Sequence, residues 1–288
     1  MKKVGFLGPK GTFSEQALSQ FLRQSSAPYQ PQEYHSIIQL FDALKAEECD
    51  AIMIPIENSI EGAVTHSMDE LLHITDHHIS AEILFPIQQC LLSIQPGPLS
   101  NITDILSHPQ AIAQSKKFIE THLNSAAIHY WPSTAAAAKA LKENDLPTSL
   151  HAKPEQIAVI GNKELANTYG LHLLKEAVND LDSNITRFFL ISKDKTEPSL
   201  HCKTSLICTS QQNKPGSLCD LLSIFAQEGI NLTRIESRPS KSNIGQYLFY
   251  IDCLGHYQNN PLKDVLARVQ NEAPFYKWLG SYPMATLD

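Results

Sequence analysis

The segment Ala51-Ile52-Met53-Ile54-Pro55-Ile56-Glu57-Asn58-Ser59 passes from an apolar run into three consecutive polar residues. The apolar run predicts a buried strand over Ala51–Ile54 that ends at Pro55. A helical stripe follows, with apolar residues at i, i+4, i+7 and i+8: Val64, Met68, Leu71 and Leu72. A strand, a turn and a helix in this order form one unit of an α/β sheet.

The same alternation recurs on both sides of that segment. Val4–Leu7 is typical of a short strand, and Thr12–Glu15 has the spacing of a capping box for the helix that follows. Three more strand-like runs lead into helices, namely Asp104–Leu106, Ala127–Trp131 and Ile157–Ile160. The repeated units predict a mainly parallel α/β fold, in which ligands bind beyond the carboxyl ends of the strands.

Two stretches interrupt this alternation. Residues 79–94 form two extended runs without a helix, which we interpret as a crossover between two lobes. Asn184–Ser192 is again strand-like and would return the chain to the first lobe. The expected region spans 1–194, with 1–85 and 180–194 in the first lobe and 86–179 in the second.

The rhythm changes after Lys193–His201, a polar segment with Pro198 that we interpret as a linker. The predicted elements beyond it are, in order, strand 203–209, helix 215–227, strands 231–237 and 247–254, helix 261–271 and strand 275–282. This β-α-β-β-α-β order predicts a ferredoxin-like domain over 202–284, with Asn243 and Gly245 in the turn between its second and third strands.

Composition argues against several functions. The net charge of −7 opposes a broad nucleic-acid-binding surface, and no run approaches the roughly 18 apolar residues of a membrane helix. The six cysteines lack C-x-x-C spacing and the twelve histidines are scattered, so we expect reduced thiols and no metal site. The apolar stretch after Met1-Lys2-Lys3 is too short for a secretory signal, which predicts a cytoplasmic protein.

Hydrogen-bond donors follow the predicted strands at four places. They are Thr12 after Gly8-Pro9-Lys10-Gly11, Asn58 with Ser59, Ser107 with Gln114 on the next helix, and Ser133 with Thr134. The first loop could bring backbone N–H groups to an anion, although it is neither a Walker loop nor G-x-G-x-x-G. Helix capping, a plain turn and solvent-exposed glutamines are structural alternatives that the sequence leaves open.

A fifth motif, Thr186-Arg187-Phe188, lies on the strand that returns to the first lobe. Strand alternation places Thr186 and Phe188 on one side and Arg187 on the other. A lone threonine on a strand is usually structural, so this motif is informative only together with the four that precede it.

These motifs, in this order, resemble the prephenate dehydratase family over nearly the whole chain. The matching segments are Gly8–Glu15, Pro55–Gly62, Ser107–Gln114, Ser133–Ala138 and Thr186–Phe188. The C-terminal unit resembles an ACT domain, and Pro215–Leu218 and Glu236–Pro239 are similar to the family's phenylalanine-sensing motifs. Where the family commonly has Gly-Ala-Leu-Val, this chain has Gly216-Ser217-Leu218-Cys219, which would alter the packing of the sensing pocket.

The resemblance implies a two-lobed catalytic region like the type 2 periplasmic binding proteins, followed by the ACT domain. It implies conversion of prephenate to phenylpyruvate without a cofactor or metal, since aromatisation of the ring supplies much of the driving force. Thr186 would donate to the departing hydroxyl through a positioned hydrogen bond rather than as a free acid. The other implied roles are positioning and charge stabilisation by Asn58, Ser107 and Gln114, carboxylate binding by Arg187 beside Phe188, and further donors at Thr12, Ser59, Ser133 and Thr134.

The resemblance also implies feedback inhibition by L-phenylalanine bound to the ACT domain. The implied effector-binding residues are Gly216, Ser217, Leu218, Asn231, Leu232, Glu236 and Ser237. ACT domains commonly pair, so we expect a homodimer or homotetramer, with no nucleic-acid or membrane partner. The chain begins at the first dehydratase strand, which predicts a monofunctional enzyme without a fused chorismate mutase.

Two alternative functions remain open. Arogenate dehydratase removes the same groups from the transaminated substrate, and the sequence does not separate the two activities. A non-enzymatic amino-acid-binding sensor would share the two-lobed fold and the ACT domain. The complete Thr186-Arg187-Phe188 motif opposes a pure sensor and predicts a carbon–oxygen lyase.

Overall fold

The computed structural model describes residues 1–25, 28–212, 214–240 and 246–287. In these ranges the strands form three sheets. The strands are β1 (Lys2–Leu7), β2 (Tyr29–Tyr34), β3 (Ala51–Asn58), β4 (Gly62–Ala63), β5 (His78–Pro86), β6 (Cys90–Ser93), β7 (Asp104–Ser107), β8 (Ala127–Tyr130), β9 (Ile157–Gly161), β10 (His172–Lys175), β11 (Ile185–Ser192), β12 (Cys202–Cys208), β13 (Leu232–Pro239), β14 (Tyr247–Leu254) and β15 (Tyr276–Pro283). The α-helices are α1 (Phe13–Gln24), α2 (Ile37–Lys45), α3 (Thr65–Leu71), α4 (Pro109–Gln114), α5 (Lys116–His122), α6 (Thr134–Glu143), α7 (Glu164–Tyr169), α8 (Ser217–Gln227) and α9 (Leu262–Glu272), with 3-10 turns at Leu99–Asn101 and Pro154–Gln156.

The first two sheets are mixed rather than mainly parallel. The first has the order β2-β1-β3-β11-β5, in which β1 is parallel to β2 and β3 but β11 is antiparallel to β3 and β5. The second has the order β10-β6-β9-β7-β8, in which β7 is parallel to β8 and β9 but β6 is antiparallel to its neighbours. Each sheet therefore joins parallel strand–helix units to the strands that cross between the sheets.

The crossover strands follow the sequence prediction. β5 and β6 confirm two extended runs within 79–94, and β11 confirms the strand predicted over 184–192. The first sheet contains β1–β5 with β11, and the second contains β6–β10. This membership supports the proposed division into lobes 1–85 with 180–194 and 86–179.

The predicted end of the third strand at Pro55 is wrong, because β3 continues beyond it. The pairing of β3 with β11 changes register here: Phe188 lies opposite Pro55, whereas Arg187 lies opposite Glu57. Ile56 is the extra residue of a β-bulge. Proline, which lacks an N–H donor, is tolerated at such a bulge because the ladder is already interrupted there.

The bulge decides which face of the sheet the end of β3 presents. Ile52, Ile54 and Ile56 pack in the core that faces α2, α3 and the C-terminal domain. Regular alternation would add Asn58 to that face. Because of the bulge, Glu57 occupies that face instead and Asn58 turns to the opposite one, toward the second lobe.

β12–β15 with α8 and α9 confirm the predicted ferredoxin-like unit, in the antiparallel order β13-β14-β12-β15. The two helices cover one face, where Phe225, Ile251 and Val269 share a core. The predicted turn with Asn243 and Gly245 lies outside the described residues.

The other face of this third sheet packs on the first lobe. Ile207 and Tyr250 belong to the same core cluster as Phe189 of β11. Gly280 marks a close approach, because a Cβ at this position would lie 2.4 Å from the carbonyl oxygen of Ile79. Glycine therefore allows β15 to pack directly against β5.

Side-chain caps fix where several helices begin. Thr12, Ser36 and Ser133 each accept a hydrogen bond from the backbone N–H three residues further on. The helix predicted to follow Asp104–Leu106 is divided at Ser115 into α4 and α5. In the described ranges, no helix is long and apolar enough to cross a membrane.

Candidate active site

Asn58 at the end of β3 and Thr186 at the start of β11 lie opposite each other. Asn58 Nδ2 donates a hydrogen bond to Thr186 Oγ1 at 2.9 Å. Asn58 Oδ1 accepts from the backbone N–H groups of Ile60 and Glu61, at 3.0 and 3.1 Å. Asn58 does not cap α3, whose N-cap is Val64. Since both ends of the Asn58 amide are held, its orientation is fixed and so is the lone pair of Thr186 that it contacts.

The Thr186 hydroxyl is arranged as a donor. Its side chain is buried, and its oxygen accepts the hydrogen bond from Asn58. No described residue accepts a hydrogen bond from the Thr186 hydroxyl, so its proton is available to a ligand between the lobes. The bond from Asn58 also stabilises negative charge on Oγ1, which strengthens the hydroxyl as a donor.

A chain of buried amides connects this pair to the second lobe. Asn58 Nδ2 also donates to Asn184 Oδ1 at 2.7 Å, and Asn184 Nδ2 donates to Gln114 Oε1 at 3.0 Å. Gln89 Nε2 reaches the same Gln114 oxygen at 3.4 Å. We call Asn58, Thr186, Asn184, Gln114 and Gln89 the donor chain. It consists of amides and one hydroxyl, so its own charge stays neutral across the physiological pH range.

Several polar atoms at this junction are buried without a partner. Gln114 Nε2, Gln89 Oε1 and Ser115 Oγ have no hydrogen-bond partner among the described residues. Leaving such a group unsatisfied costs about 1–3 kcal/mol, and native proteins rarely do so without a functional reason. These atoms indicate a place where a polar ligand binds.

Three residues of the junction were missed by sequence reasoning: Asn184, Gln89 and Asn162. Asn184 precedes Thr186 by two positions, so strand alternation could have placed both on one face. Asn162 Nδ2 donates across the lobes to the Gly11 carbonyl oxygen at 2.6 Å. Sequence patterns carry no signal for Asn162, because its partner is a main-chain atom in the other lobe.

The predicted serines make structural contacts. Ser107 is fully buried, and its Oγ donates to the Ile160 carbonyl oxygen at 2.5 Å, which ties β7 to β9. Ser59 Oγ donates to the Ser183 carbonyl oxygen and accepts from the Ile185 N–H, both at 3.0 Å. In this geometry the Ser107 hydroxyl holds two strands of the second lobe together, and the catalytic role predicted for Ser107 stays a prediction.

Thr12, Ser133 and Thr134 lie at helix starts in the two lobes. The Thr12 hydroxyl donates to the Leu7 carbonyl oxygen at 2.9 Å while it caps α1, and Ser133 caps α6. Capping is therefore the observed role of these two hydroxyls. Thr134 is the first residue of α6 and lies beside Gly161 at the end of β9. The first turn of α6 has no acidic residue, so its N–H groups are suited to binding an anion. At the start of α1 the Glu15 carboxylate already accepts a hydrogen bond from the Gly11 N–H at 2.6 Å.

Arg187 and Phe188 do not join the donor chain. The Arg187 guanidinium turns to the other face of the sheet, where it pairs with Glu82 and Asp252. Phe188 is buried in the core beside Leu18 of α1. The predicted binding of a substrate carboxylate by Arg187 does not agree with this arrangement, because carboxylates of the protein already occupy its fork.

His108 is the ionisable residue that follows Ser107. Its Nδ1 accepts a hydrogen bond from the Gln110 N–H at 3.2 Å, and burial lowers the pKa of the imidazole. His108 is therefore neutral at pH 7, with Nε2 as its donor. Among the described residues, no three His, Cys, Asp or Glu side chains are grouped as a metal site.

A cavity of about 610 Å³ lies beside the C-terminal domain. Its lining includes Ser217 and Leu218 at the start of α8, Phe249 on β14 and His73 of the first lobe. Gly216 precedes them with φ 89°, a conformation that favours glycine. Ser217 Oγ is buried without a hydrogen-bond partner in the described part of the chain, so the cavity has an unused polar group.

The other predicted effector-binding residues lie on or beside the edge strand β13. Ser237 pairs with Phe249, which lines the cavity, and Glu236 precedes it. Asn231 and Leu232 lie at the opposite end of the strand. The cavity lining includes none of these four residues.

Two α/β lobes linked by buried neutral donors, with a ferredoxin-like domain docked on one lobe, are the architecture of a two-lobed protein that binds a small molecule between its lobes. The family model for prephenate dehydratase matches residues 4–196, and the model for the ACT domain matches residues 204–269. The chain belongs to the prephenate dehydratase family.

Full-length relatives agree with this placement. A prephenate dehydratase of Methanocaldococcus jannaschii is 36% identical, over 98% of this chain and 98% of its own. The solved prephenate dehydratase of Arthrobacter aurescens in complex with L-Phe is 35% identical with a TM-score of 0.86, and the match covers 98% of this chain and 90% of that one. A structure described as a novel type of quorum quenching acylase is 25% identical with a TM-score of 0.84, and the match covers 99% and 98%. The fold thus supports more than one activity, so residue roles must be argued from the site.

Proposed function

We propose that this protein converts prephenate to phenylpyruvate, with carbon dioxide and water as the other products. The observation that carries the proposal is the Asn58–Thr186 hydrogen bond, which leaves the Thr186 proton without an acceptor among the described residues. Family membership supplies the substrate, and the donor chain supplies the groups that such a reaction needs.

The reaction breaks two bonds of one ring. The electron pair of the ring–carboxylate bond moves into the ring as carbon dioxide leaves, and the carbon–oxygen bond at position 4 breaks as the hydroxyl leaves. With one added proton the hydroxyl becomes water, and the ring becomes aromatic. Thr186 donates to the departing oxygen, directly or through a water molecule, as a positioned hydrogen bond because threonine is a poor acid.

A neutral donor chain suits this chemistry. A cation fixed on the ring carboxylate would stabilise the substrate more than the transition state, in which that charge is being lost as carbon dioxide. The amide of Gln114 can hold the substrate without this penalty, because its buried Nε2 is an uncharged donor.

The second carboxylate of prephenate keeps its charge throughout. We assign it to the backbone N–H groups that start α6, at Ser133-Thr134, helped by the helix dipole. Ser59 fixes the loop that carries Asn58. Substrate entry would require the lobes to separate, which breaks the Asn184–Gln114 bond.

We propose L-phenylalanine as an inhibitor that binds the ACT domain near Gly216–Leu218 and Glu236-Ser237. Leu232 and Ser237 are five residues apart on one strand, a separation of about 16 Å, so one copy cannot bring both to a single amino acid. Antiparallel pairing of β13 with β13 of a second copy would bring them together, and Ile235 on this edge is 43% exposed. This supports a homodimer or a homotetramer built from such dimers, which light scattering of the purified protein would distinguish from a monomer.

We also propose a cytoplasmic location. All six cysteines are free and five are buried, which fits a reducing compartment. The resemblance implies that prephenate, a biosynthetic intermediate, is the substrate, and biosynthetic enzymes of small molecules commonly act in the cytoplasm.

Purified protein mixed with prephenate, without added cofactor, should produce the ultraviolet absorbance of phenylpyruvate. Thr186→Val removes the hydroxyl at constant shape and should lower kcat by about 10²-fold or more, the scale of losing one positioned donor. Thr121→Val, at an exposed helix position, is the control and should keep normal turnover. Normal turnover in Thr186→Val would contradict the catalytic role of the Thr186 hydroxyl, on which the proposal depends.

Parallel assays separate the alternative functions. Faster turnover of arogenate than of prephenate would reassign the substrate while it keeps the role of Thr186. Binding of amino acids without turnover of either compound would support the non-enzymatic sensor. Hydrolysis of acyl amides is not expected, because Thr186 receives a hydrogen bond from an amide and no described base is bonded to its hydroxyl.

A further inference from the structure

The residues next to the donor pair, Asn58 and Thr186, face the C-terminal domain. Glu57 precedes Asn58, and the bulge at Ile56 turns Glu57 to the face of the strand pair opposite Asn58. Arg187 follows Thr186, and strand alternation places Arg187 on that same opposite face. Glu57 Oε2 lies 3.7 Å from Arg187 Nη1. We call Glu57 and Arg187 the coupling pair.

Arg187 is held by the C-terminal domain. Its Nη1 lies 2.5 Å from Asp252 Oδ2 on β14, and its Nη2 donates to the Tyr282 hydroxyl on β15 at 3.1 Å. Its Nε pairs with Glu82 on β5 at 2.5 Å. Burial works against the charged form, but the attraction of Asp252, Tyr282 and Glu82 outweighs it and raises the pKa of the Arg187 guanidinium. Arg187 is therefore a permanent charge at the contact between the domains.

Glu57 is held by the strand that carries predicted effector-binding residues. Arg234 Nε on β13 lies 3.1 Å from Glu57 Oε2, and the Arg234 side chain is only 8% exposed. Arg234 lies two positions before Glu236 on the same face of β13. A displacement of β13 therefore reaches Glu57 through an ion pair in which the Arg234 side chain is buried and the Glu57 side chain is 38% exposed.

Charges in this network are balanced. Lys203 Nζ on β12 pairs with Glu82 Oε1 at 2.9 Å. The members are the cations Arg187, Lys203 and Arg234 and the carboxylates Glu57, Glu82 and Asp252. Breaking one contact leaves a poorly solvated charge without its partner, so the network resists small distortions and favours discrete arrangements.

We propose that Glu57 and Arg187 are positioning residues for the reaction, and that they carry the state of the ACT domain to the donor pair. The identity of the effector rests on the proposed function. A shift of β13 or β14 moves Arg234 or Asp252, and the coupling pair follows because Arg234 is ion-paired with Glu57 and the buried Asp252 is ion-paired with Arg187. Because Glu57 and Arg187 are joined by peptide bonds to Asn58 and Thr186, their movement displaces that donor pair. Displacement of the donor pair weakens its contact with the departing hydroxyl, so kcat changes more than KM.

The first test needs no effector. Glu57→Gln keeps the shape of the side chain but removes its charge, and we expect kcat to fall about 10-fold, the scale of a small misplacement, with KM within about threefold. Glu57→Asp keeps the charge and should restore part of the loss, which a purely structural role would not predict for a shorter side chain. Wild-type kcat in Glu57→Gln would overturn the positioning role.

The second test compares two contacts between the ACT domain and the first lobe. Arg234→Met removes the contact with Glu57, whereas Tyr250→Phe removes a hydrogen bond to the Met68 carbonyl oxygen on α3 and leaves the coupling pair intact. Calorimetry should show L-phenylalanine binding to both variants within about threefold of wild type. We expect the concentration for half-inhibition to rise about 10-fold or more in Arg234→Met alone, within the usual range of coupling energies.

Two outcomes would contradict this coupling route. Normal inhibition of Arg234→Met would exclude the contact with Glu57 as the link, and equal loss of inhibition in Tyr250→Phe would assign the coupling to the whole interface. If L-phenylalanine neither binds nor inhibits the wild type, the proposed feedback fails instead. In that case the two Glu57 variants decide the positioning role on their own.

Discussion

Asn58 on one face of the β3–β11 pair donates hydrogen bonds to Thr186 and Asn184, and all three groups are neutral. Glu57 and Arg187 on the other face belong to a network of charges in which Arg187 and its partners Glu82 and Asp252 are buried. The two faces are one residue apart in sequence. They differ in what they contact, because one meets the second lobe and the other meets the ACT domain.

The difference separates two mechanical tasks. Neutral hydrogen bonds contribute about 1 kcal/mol each, so the lobes can exchange them for bonds to a substrate. A buried ion pair that loses one partner costs several kcal/mol, so it holds its geometry. The strand pair is thus anchored firmly on the regulatory side and remains able to exchange partners on the catalytic side.

The largest expected effect tests the anchored face. Arg187→Met leaves the buried carboxylates of Glu82 and Asp252 without their main partner, and we expect the free energy of unfolding to fall by about 3–5 kcal/mol. Urea denaturation followed by circular dichroism measures this change. Arg238→Met is the control, because its ion pair with Asp69 is partly exposed and should be worth at most about 1 kcal/mol.

Equal stability losses in Arg187→Met and Arg238→Met would break the comparison between the faces. They would mean that the buried network is no stronger an anchor than a half-exposed ion pair.

A second expected effect concerns the neutral face. Asn58→Asp replaces the donor to Thr186 by a carboxylate. The carboxylate accepts the hydrogen bond of the Thr186 hydroxyl, which is then no longer available to the substrate, and it repels Asn184 Oδ1. We expect kcat to fall about 10²-fold at pH 7.5, comparable to the loss of the hydroxyl itself. Turnover should recover partly as pH falls, because a protonated aspartic acid can again donate. Steady-state kinetics between pH 5 and pH 8 measure this.

A pH profile of Asn58→Asp parallel to that of the wild type would contradict the assigned direction of the Asn58–Thr186 bond. Asn58→Leu is the matched control, since it has no titratable group and should show no recovery.

The smallest expected effect concerns Lys277, which lies at the contact between the ACT domain and the first lobe. Lys277 Nζ donates to the carbonyl oxygens of Leu72 and Ile74, and burial lowers its pKa from 10.5 to about 8. Between these values the unfolded chain binds a proton that the folded chain does not, so the contribution of Lys277 to stability rises with pH. The difference in unfolding free energy between wild type and Lys277→Met should therefore shift in favour of the wild type from pH 7.5 to pH 10.

An unchanged difference at the two pH values would show that Lys277 is solvated well enough to keep its ordinary pKa. The contrast with Arg187, whose carboxylate partners preserve its charge, would then lose its support.

The sequence best predicted those features of the fold that depend on neighbouring residues in the chain. The capping residues Thr12 and Ser133, the strand at 184–192 and the whole β-α-β-β-α-β unit follow from spacing and composition. It failed at Pro55, because a bulge depends on the partner strand. It also missed Gln89, because what places Gln89 at the site is a tertiary contact with Gln114, which no local pattern predicts.

The sequence by itself determined that polar residues follow apolar strands, that Thr186 and Arg187 point to opposite sides, and that a β-α-β-β-α-β domain follows the linker. Only the tertiary structure decided that Asn58 faces Thr186 and that Glu57 faces Arg234. The physical reason is that strand alternation fixes relative directions within one strand, whereas the phase between two strands is set by their pairing. One extra residue at the bulge reverses that phase, and no pattern within a single strand records it.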